Sequence, residues 1–139
     1  MFRTACALIV FASLTPGVAM AFPQFQKEWD KLYLDDNSDK EFVKLVKKEV
    51  KCWVCHQGKK KSHHNPYGKH FVGVIGKKDK KDVDKIVATL QKVAKMHSDP
   101  KNEESPTYGE LISKGQLPGG KLEDAKKEPP KEEKEKDKE

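Results

Sequence analysis

The feature that most constrains this chain is the pentapeptide Cys52-Trp53-Val54-Cys55-His56, a C-x-x-C-H sequence. Two cysteines three positions apart face the same side of a helical turn. A histidine directly after the second cysteine lies at the end of that turn, where a neutral imidazole can offer one ring nitrogen to a metal. The pattern therefore predicts a helical turn that presents two thiols and one imidazole to a common ligand.

This arrangement matches the attachment signature of c-type haem. Cys52 and Cys55 are expected to form thioether bonds with the two vinyl groups on one edge of the haem, and His56 is expected to bind the iron. Chance produces the pattern on the order of once in a thousand chains of this length. We therefore predict one covalently attached haem c, with His56 as the iron ligand.

Other uses of the two thiols stay open on the sequence alone. Cys52 and Cys55 can form a disulfide in an exported chain, or a thioredoxin-like redox pair, which calls for a βαβ unit that the sequence does not display. A zinc site needs four ligands at regular spacings. Its candidates are both cysteines with two histidines out of His56, His63, His64, His70 and His97.

The N-terminus predicts export. Residues 1–3 carry one positive charge, residues 5–18 form an apolar run of 14 residues, and Ala19-Met20-Ala21 supplies small residues for cleavage. Because a membrane-spanning helix needs about 20 apolar residues, the run is too short for an anchor. We expect residues 1–21 to be a cleaved signal peptide that includes Cys6, and the mature protein to be periplasmic, where bacteria attach haem c.

Helical periodicity without strand-like alternation predicts an all-α domain of four or five short helices around one haem, over residues 22–120. The expected helices lie near 23–34, from a Ser38–Glu41 capping box towards the motif, over 82–97, and from a Thr107–Glu110 capping box, with one more segment within 69–75. Few apolar side chains are available for the core, so a large buried cofactor would add apolar volume.

The C-terminal residues 121–139 consist mainly of Lys, Glu and Asp, with Pro129-Pro130 and almost nothing apolar. Such a segment cannot bury enough surface to offset its conformational entropy. We expect a disordered charged tail.

The chain resembles small monohaem cytochromes c in its signal, its motif and its helices, and Cys52, Cys55 and His56 match residue by residue. It is also similar to exported bacterial cytochrome-like proteins that combine the motif with an N-x-Y-G turn, here Asn65–Gly68, and a G-E-L-I segment, here Gly109–Ile112. The resemblance implies a haem-binding fold and one-electron transfer by the iron. Within the turn, Tyr67 is expected either to pack in the domain or to reach a haem propionate.

The sixth iron ligand stays undecided. The candidates are Met96, His97, His63, His64 and His70, or the position is open. Helical periodicity over 82–97 directs His97 to the apolar face and Met96 to its flank. A methionine gives a higher potential than a second histidine, whereas an open position admits small ligands or peroxide. Electron transfer is therefore the first interpretation, and a peroxidase-like enzyme or a small-gas binding module is the alternative.

Residues 44–81 contain twelve lysines against Glu49 and Asp79, a local net charge of +10. Around a redox centre, this charge would steer a partner protein with an acidic docking face. General solubility is the competing interpretation, and contact with an anionic membrane surface is a third. We expect no nucleic-acid binding, because an exported chain leaves the cytoplasm and no recognition motif is present.

Overall fold

The structure, a computed structural model, describes residues 23–130. The predicted signal peptide, Phe22 and residues 131–139 lie outside this range. The described residues form six α-helices and no sheet, which confirms the all-α class, with one helix more than the four or five expected. The helices are α1 Pro23–Tyr33, α2 Lys40–Leu45, α3 Pro66–Lys69, α4 Val83–Ala94, α5 Tyr108–Ser113 and α6 Leu122–Lys126. No helix in this part of the chain is long and apolar enough to cross a membrane.

The core lies where α1 and α5 pack against α4. Ile86, Leu90 and Val93 recur at intervals of four and three along α4, so they share one face and are almost fully buried. Trp29 of α1 and Ile112 of α5 close on that face. Burial of each large apolar side chain contributes about 1.5–3 kcal/mol relative to its exposure.

Of the two predicted capping boxes, one is found in the structure and one is not. At α5 the box is confirmed: the Thr107 hydroxyl accepts from the backbone N–H of Glu110 at 3.2 Å, and the Glu110 carboxylate accepts from the N–H of Thr107 at 2.7 Å. At α2 the prediction is wrong, because Asp39 rather than Ser38 caps the helix and accepts from the N–H of Phe42 at 2.9 Å. Both residue types cap helices well, and the carboxylate also interacts favourably with the helix dipole.

The helix expected over 82–97 is shorter than predicted. Asp82 caps α4, which ends at Ala94. The following backbone pairs with another segment, since Tyr108 N–H donates to Met96 C=O at 3.0 Å and His97 forms an isolated bridge with Thr107. The expectation that His97 points to the apolar face is therefore wrong.

The boundary predicted at residue 120 is corrected by α6. Residues 121–130, which we call the C-terminal strap, contain this helix and pack back on the domain. Ala125 is 4% exposed, and its carbonyl accepts from Gly58 N–H at 2.8 Å. Composition missed the strap because it is held by few apolar side chains, Leu122, Ala125 and Pro129, together with hydrogen bonds to Gly58 and Lys59. Only residues 131–139 of the predicted tail stay untested.

Candidate functional site

The chain enters the motif through helical turns of changing width. After α2, Val46–Val50 form a π-helical turn and Lys51–Val54 form a 3₁₀ turn. Val46, Val50 and Val54 are at most 1% exposed and form an apolar stripe at four-residue intervals. The motif cysteines are not part of this stripe.

Lys51 marks the change of direction just before the motif. Its backbone has φ 48° and ψ −117°, and it is the one non-glycine residue in the described range with positive φ. Such a conformation costs about 1–3 kcal/mol and persists where the surrounding structure imposes it. Its position, one residue before Cys52, places backbone strain next to the predicted attachment site.

The motif itself forms the predicted helical turn. The N–H groups of Cys55 and His56 both donate to the carbonyl of Cys52, at 3.3 and 3.0 Å. Both cysteines are free and half-buried. Burial, with a smaller contribution from Cys52, raises the pKa of Cys55 to about 12, so this thiol keeps its proton at neutral pH. A thioredoxin-like pair needs the opposite, a thiol with a lowered pKa.

His56 lies opposite His64 in an isolated antiparallel bridge. The bridge is framed by two hydrogen bonds, from Gln57 N–H to His63 C=O at 2.9 Å and from Asn65 N–H to Cys55 C=O at 3.0 Å. Side chains of such a directly opposite pair point to the same face. The two imidazole rings accordingly lie with centroids 4.9 Å apart and planes tilted by 39°.

The imidazole of His56 is half-buried, and one of its two nitrogens is buried without a hydrogen-bond partner. Its Nδ1 makes no hydrogen bond. Burial, followed by the nearby charges of His64 and Lys61, lowers the pKa of His56 to about 4, against smaller opposing backbone contributions. The ring is therefore neutral at physiological pH, which is the form that binds metals.

Asn65 ties the motif to the N-x-Y-G turn. Its side chain is 1% exposed, and Nδ2 donates to the carbonyls of Trp53 and Val54, each at 2.9 Å. Its Oδ1 accepts from Gly68 N–H at 2.8 Å and caps α3. One amide thus satisfies three backbone groups on two segments, which fixes the shape of the motif turn.

Close packing around Asn65 and the motif explains why glycine occupies positions 68 and 119. A Cβ placed on Gly68 would lie 1.9 Å from the carbonyl oxygen of Cys55, and one on Gly119 would lie 2.1 Å from Nδ2 of Asn65. Neither distance is sterically possible. The chain therefore approaches the motif backbone at positions where only glycine fits.

Tyr67 packs in the core. It is fully buried, and its hydroxyl accepts from Nε1 of Trp29 at 3.1 Å. Its ring is edge-on to Phe71, with centroids 5.1 Å apart. Asn65 and Tyr67 thus have separate tasks, because the first braces the motif and the second fills the core.

The C-terminal strap contacts the motif and the residues that follow it. Glu128 accepts from Lys59 N–H at 3.0 Å, and its other oxygen lies 3.2 Å from Nδ1 of His63. This Nδ1 makes no hydrogen bond, so the second contact is electrostatic and depends on protonation of His63. Lys126 Nζ lies 5.2 Å above the centre of the Trp53 ring, a cation–π arrangement.

The remaining candidates for the sixth iron ligand are exposed or bonded to other residues. Met96 is 39% exposed. His97 is exposed, and its Nδ1 contacts Ser105 C=O at 2.6 Å. Nε2 of His70 is hydrogen-bonded to the Tyr108 hydroxyl at 3.1 Å. Within residues 23–130, no group of three or more His, Cys, Asp and Glu side chains is placed to hold a metal ion.

The lysine-rich segment is on the surface around the motif. Eleven of its twelve lysines are exposed, and Lys61 is half-buried. The exposed lysines nearest the motif in sequence are Lys44, Lys47, Lys48, Lys51, Lys59 and Lys60. Lys47 approaches Asp35 at 4.0 Å, a weak surface contact. Most of this positive charge is therefore available to solvent.

Comparison of the chain with protein-family models, curated proteins and solved structures finds no match.

Proposed function

We propose that this chain is an exported monohaem c-type cytochrome with a cytochrome c-like fold, which carries single electrons between periplasmic partners. The proposal is supported by the motif turn, where two free thiols are followed by a neutral, half-buried imidazole whose buried Nδ1 has no hydrogen-bond partner. In this proposal Cys52 and Cys55 hold haem c by thioether bonds and His56 binds its iron. When bound, the haem supplies one-electron chemistry by cycling between ferrous and ferric iron.

The residues around the motif have supporting tasks in this proposal. Asn65 holds the turn that presents both thiols, through its hydrogen bonds to Trp53 and Val54. The strap shields one side of the motif, because Ala125 and Glu128 are bonded to the chain directly after it. The exposed lysines would attract a redox partner with an acidic face and speed its encounter at low ionic strength.

The test is chemical analysis of the full chain, expressed with residues 1–21 in a bacterium that has a haem-attachment system. Haem that survives acid–acetone extraction, with a pyridine haemochrome spectrum of two thioether bonds, is expected. Cys52→Ser and Cys55→Ser should each shift the haemochrome spectrum to that of a single thioether bond or abolish attachment. Extractable haem, or none, would overturn the proposal.

A second candidate, a haem protein with an open sixth position, rests on a specific observation. The nearby histidines have other contacts: His64 stacks on His56, His63 faces Glu128, and His70 is bonded to Tyr108. The rings of His56 and His64 lie 4.9 Å apart on the same face and leave no room for a haem between them. His64 would therefore have to move to become the sixth iron ligand. An open position would favour a small-gas binding module or a peroxidase-like enzyme.

Carbon monoxide separates the two candidates. If the sixth position is filled, the absorption spectrum of the ferrous protein stays unchanged on adding the gas at neutral pH, and the carrier proposal stands. A rapid shift favours the open site. Parallel spectra of Met96→Ala and His97→Ala identify which of these two side chains, if either, is the ligand.

A further inference from the structure

Tyr108, the first residue of α5, is a buried phenol bonded to an imidazole. It is 1% exposed, its hydroxyl lies 3.1 Å from Nε2 of His70, and the two rings are T-shaped with centroids 5.3 Å apart. In the tautomer that carries its proton on Nδ1, Nε2 of His70 accepts a hydrogen bond from the Tyr108 hydroxyl.

Burial sets the protonation states of this pair. It raises the pKa of Tyr108, which therefore keeps its proton, and it lowers the pKa of His70, whose imidazole is therefore neutral at physiological pH. His70 is half-buried and thus reaches the surface of the domain. The pair consists of a protonated phenol and an unprotonated base in contact.

The other two tyrosines of the chain lack such a base. Tyr33 donates to the backbone carbonyl of Leu90 at 3.2 Å, and a carbonyl does not take up a proton in the physiological range. Tyr67 accepts from Nε1 of Trp29, which is a donor only. Because an oxidised phenol releases its proton, it gives up an electron more readily when a base already accepts that proton. This requirement singles out Tyr108.

Tyr67 connects the pair to the motif. Its ring centroid lies 5.0 Å from that of Tyr108. Gly68, the next residue, approaches Cys55 so closely that an added Cβ would lie 1.9 Å from its carbonyl oxygen. Two aromatic contacts therefore run from Tyr67, which adjoins Gly68 in the chain, through Tyr108 to the half-buried His70.

We propose that Tyr108 and His70 form a proton-coupled one-electron donor, linked to the motif by the ring of Tyr67. A strong one-electron oxidant removes one electron from Tyr108, the O–H bond breaks, and the proton moves to Nε2 of His70. The products are a neutral tyrosyl radical and an imidazolium, and return of one electron restores the O–H bond with the same proton. This activity goes beyond the proposed carrier function, and its chemistry requires only these side chains and the oxidant.

The test is flash photolysis of the full chain with ruthenium(III) tris(bipyridine), generated by light, as the oxidant. Electron paramagnetic resonance identifies the radical, and transient absorption in H₂O and D₂O gives its rate of formation. The variants are Tyr108→Phe, which removes the phenol, and His70→Gln, which keeps a hydrogen-bond acceptor but cannot take up the proton. Tyr33→Phe is the matched control, since it removes a buried phenol bonded to a carbonyl.

The expected result is a tyrosyl signal that disappears in Tyr108→Phe and persists in Tyr33→Phe. His70→Gln should slow radical formation by roughly tenfold or more, because the base is lost, and should alter the solvent isotope effect. An unchanged signal in Tyr108→Phe, or an unchanged rate in His70→Gln, would overturn the proposal. Both measurements run on haem-loaded ferric protein and on the haem-free chain, so failure of haem attachment is distinguished from failure of the tyrosine–histidine pair.

Discussion

Two regions of this domain are stabilised in different ways. In the helical layer, formed by α1, α4 and α5, regular helices bury apolar faces, and Leu90 at its centre is fully buried. In the motif region, residues 46–70, the backbone changes from π-helical to 3₁₀ turns and then to a short bridge. Side-chain amides and close glycine contacts determine its shape. The layer supplies stability through buried apolar faces, while the motif region holds a fixed turn with two thiols and an imidazole.

The largest expected effect on stability belongs to the helical layer. Leu90→Ala should lower the free energy of unfolding by about 2–5 kcal/mol, because it removes a fully buried side chain and leaves a cavity. Denaturant unfolding measures this loss. Haem that remains attached should keep the wild-type haemochrome spectrum, and a changed spectrum would show that the two regions are not separable.

Gly68→Ala tests the close contact in the motif region. A new Cβ at 1.9 Å from the Cys55 carbonyl forces the backbone apart, so we expect a loss of about 1–3 kcal/mol and a lower yield of attached haem. Gly76→Ala is the matched control, since its added Cβ would lie 4.0 Å from the nearest atom, Oδ2 of Asp79. Equal effects of the two substitutions would contradict the importance of this contact.

Asn65→Ala tests the amide that braces the motif. It leaves the buried carbonyls of Trp53 and Val54 without their donor, so a loss of about 1–3 kcal/mol is expected. Asn65→Asp keeps the size of the side chain and its bond to Gly68 but still removes the donor. If Asp restores both stability and haem yield to wild-type levels, the bracing role is wrong.

Acid should weaken the motif region through His56 before haem is attached. Its folded-state pKa of about 4 lies below the ordinary value of 6.5, so the unfolded chain takes up a proton first as the pH falls. Stability is unaffected by His56 above about pH 6.5 and decreases towards pH 4. Because solvent screens the half-buried ring, the expected loss is on the order of 2 kcal/mol. His56→Gln should flatten this part of the profile in urea titrations of the haem-free chain, and an unchanged slope would contradict the burial of His56.

The sequence predicts the helical layer better than the motif region. The apolar spacing of α4 and the Thr107–Glu110 box are local patterns, and both are found in the structure. The end of α4 was misjudged because it depends on pairing of His97 with Thr107, ten residues later. Local patterns cannot reveal such pairing.

The sequence predicts the motif turn but not the contacts that hold it. Asn65 appears in the sequence only as part of a turn signal, although its amide bonds reach back eleven and twelve residues. The strap was hidden by its charged composition, and its contact to Gly58 is between backbone groups. The C-x-x-C-H spacing identifies the three residues of the candidate site, but tertiary contacts determine how they are held.

The most direct test of the central claim is the intact mass of the purified, denatured full chain after export. The proposal predicts the mass of residues 22–139 plus one haem, with the haem found on the peptide that contains Cys52, Cys55 and His56. The double variant Cys52→Ser/Cys55→Ser should have the mass of the bare polypeptide. A wild-type chain with no added haem mass, from cells that attach haem to a control cytochrome, would contradict the account.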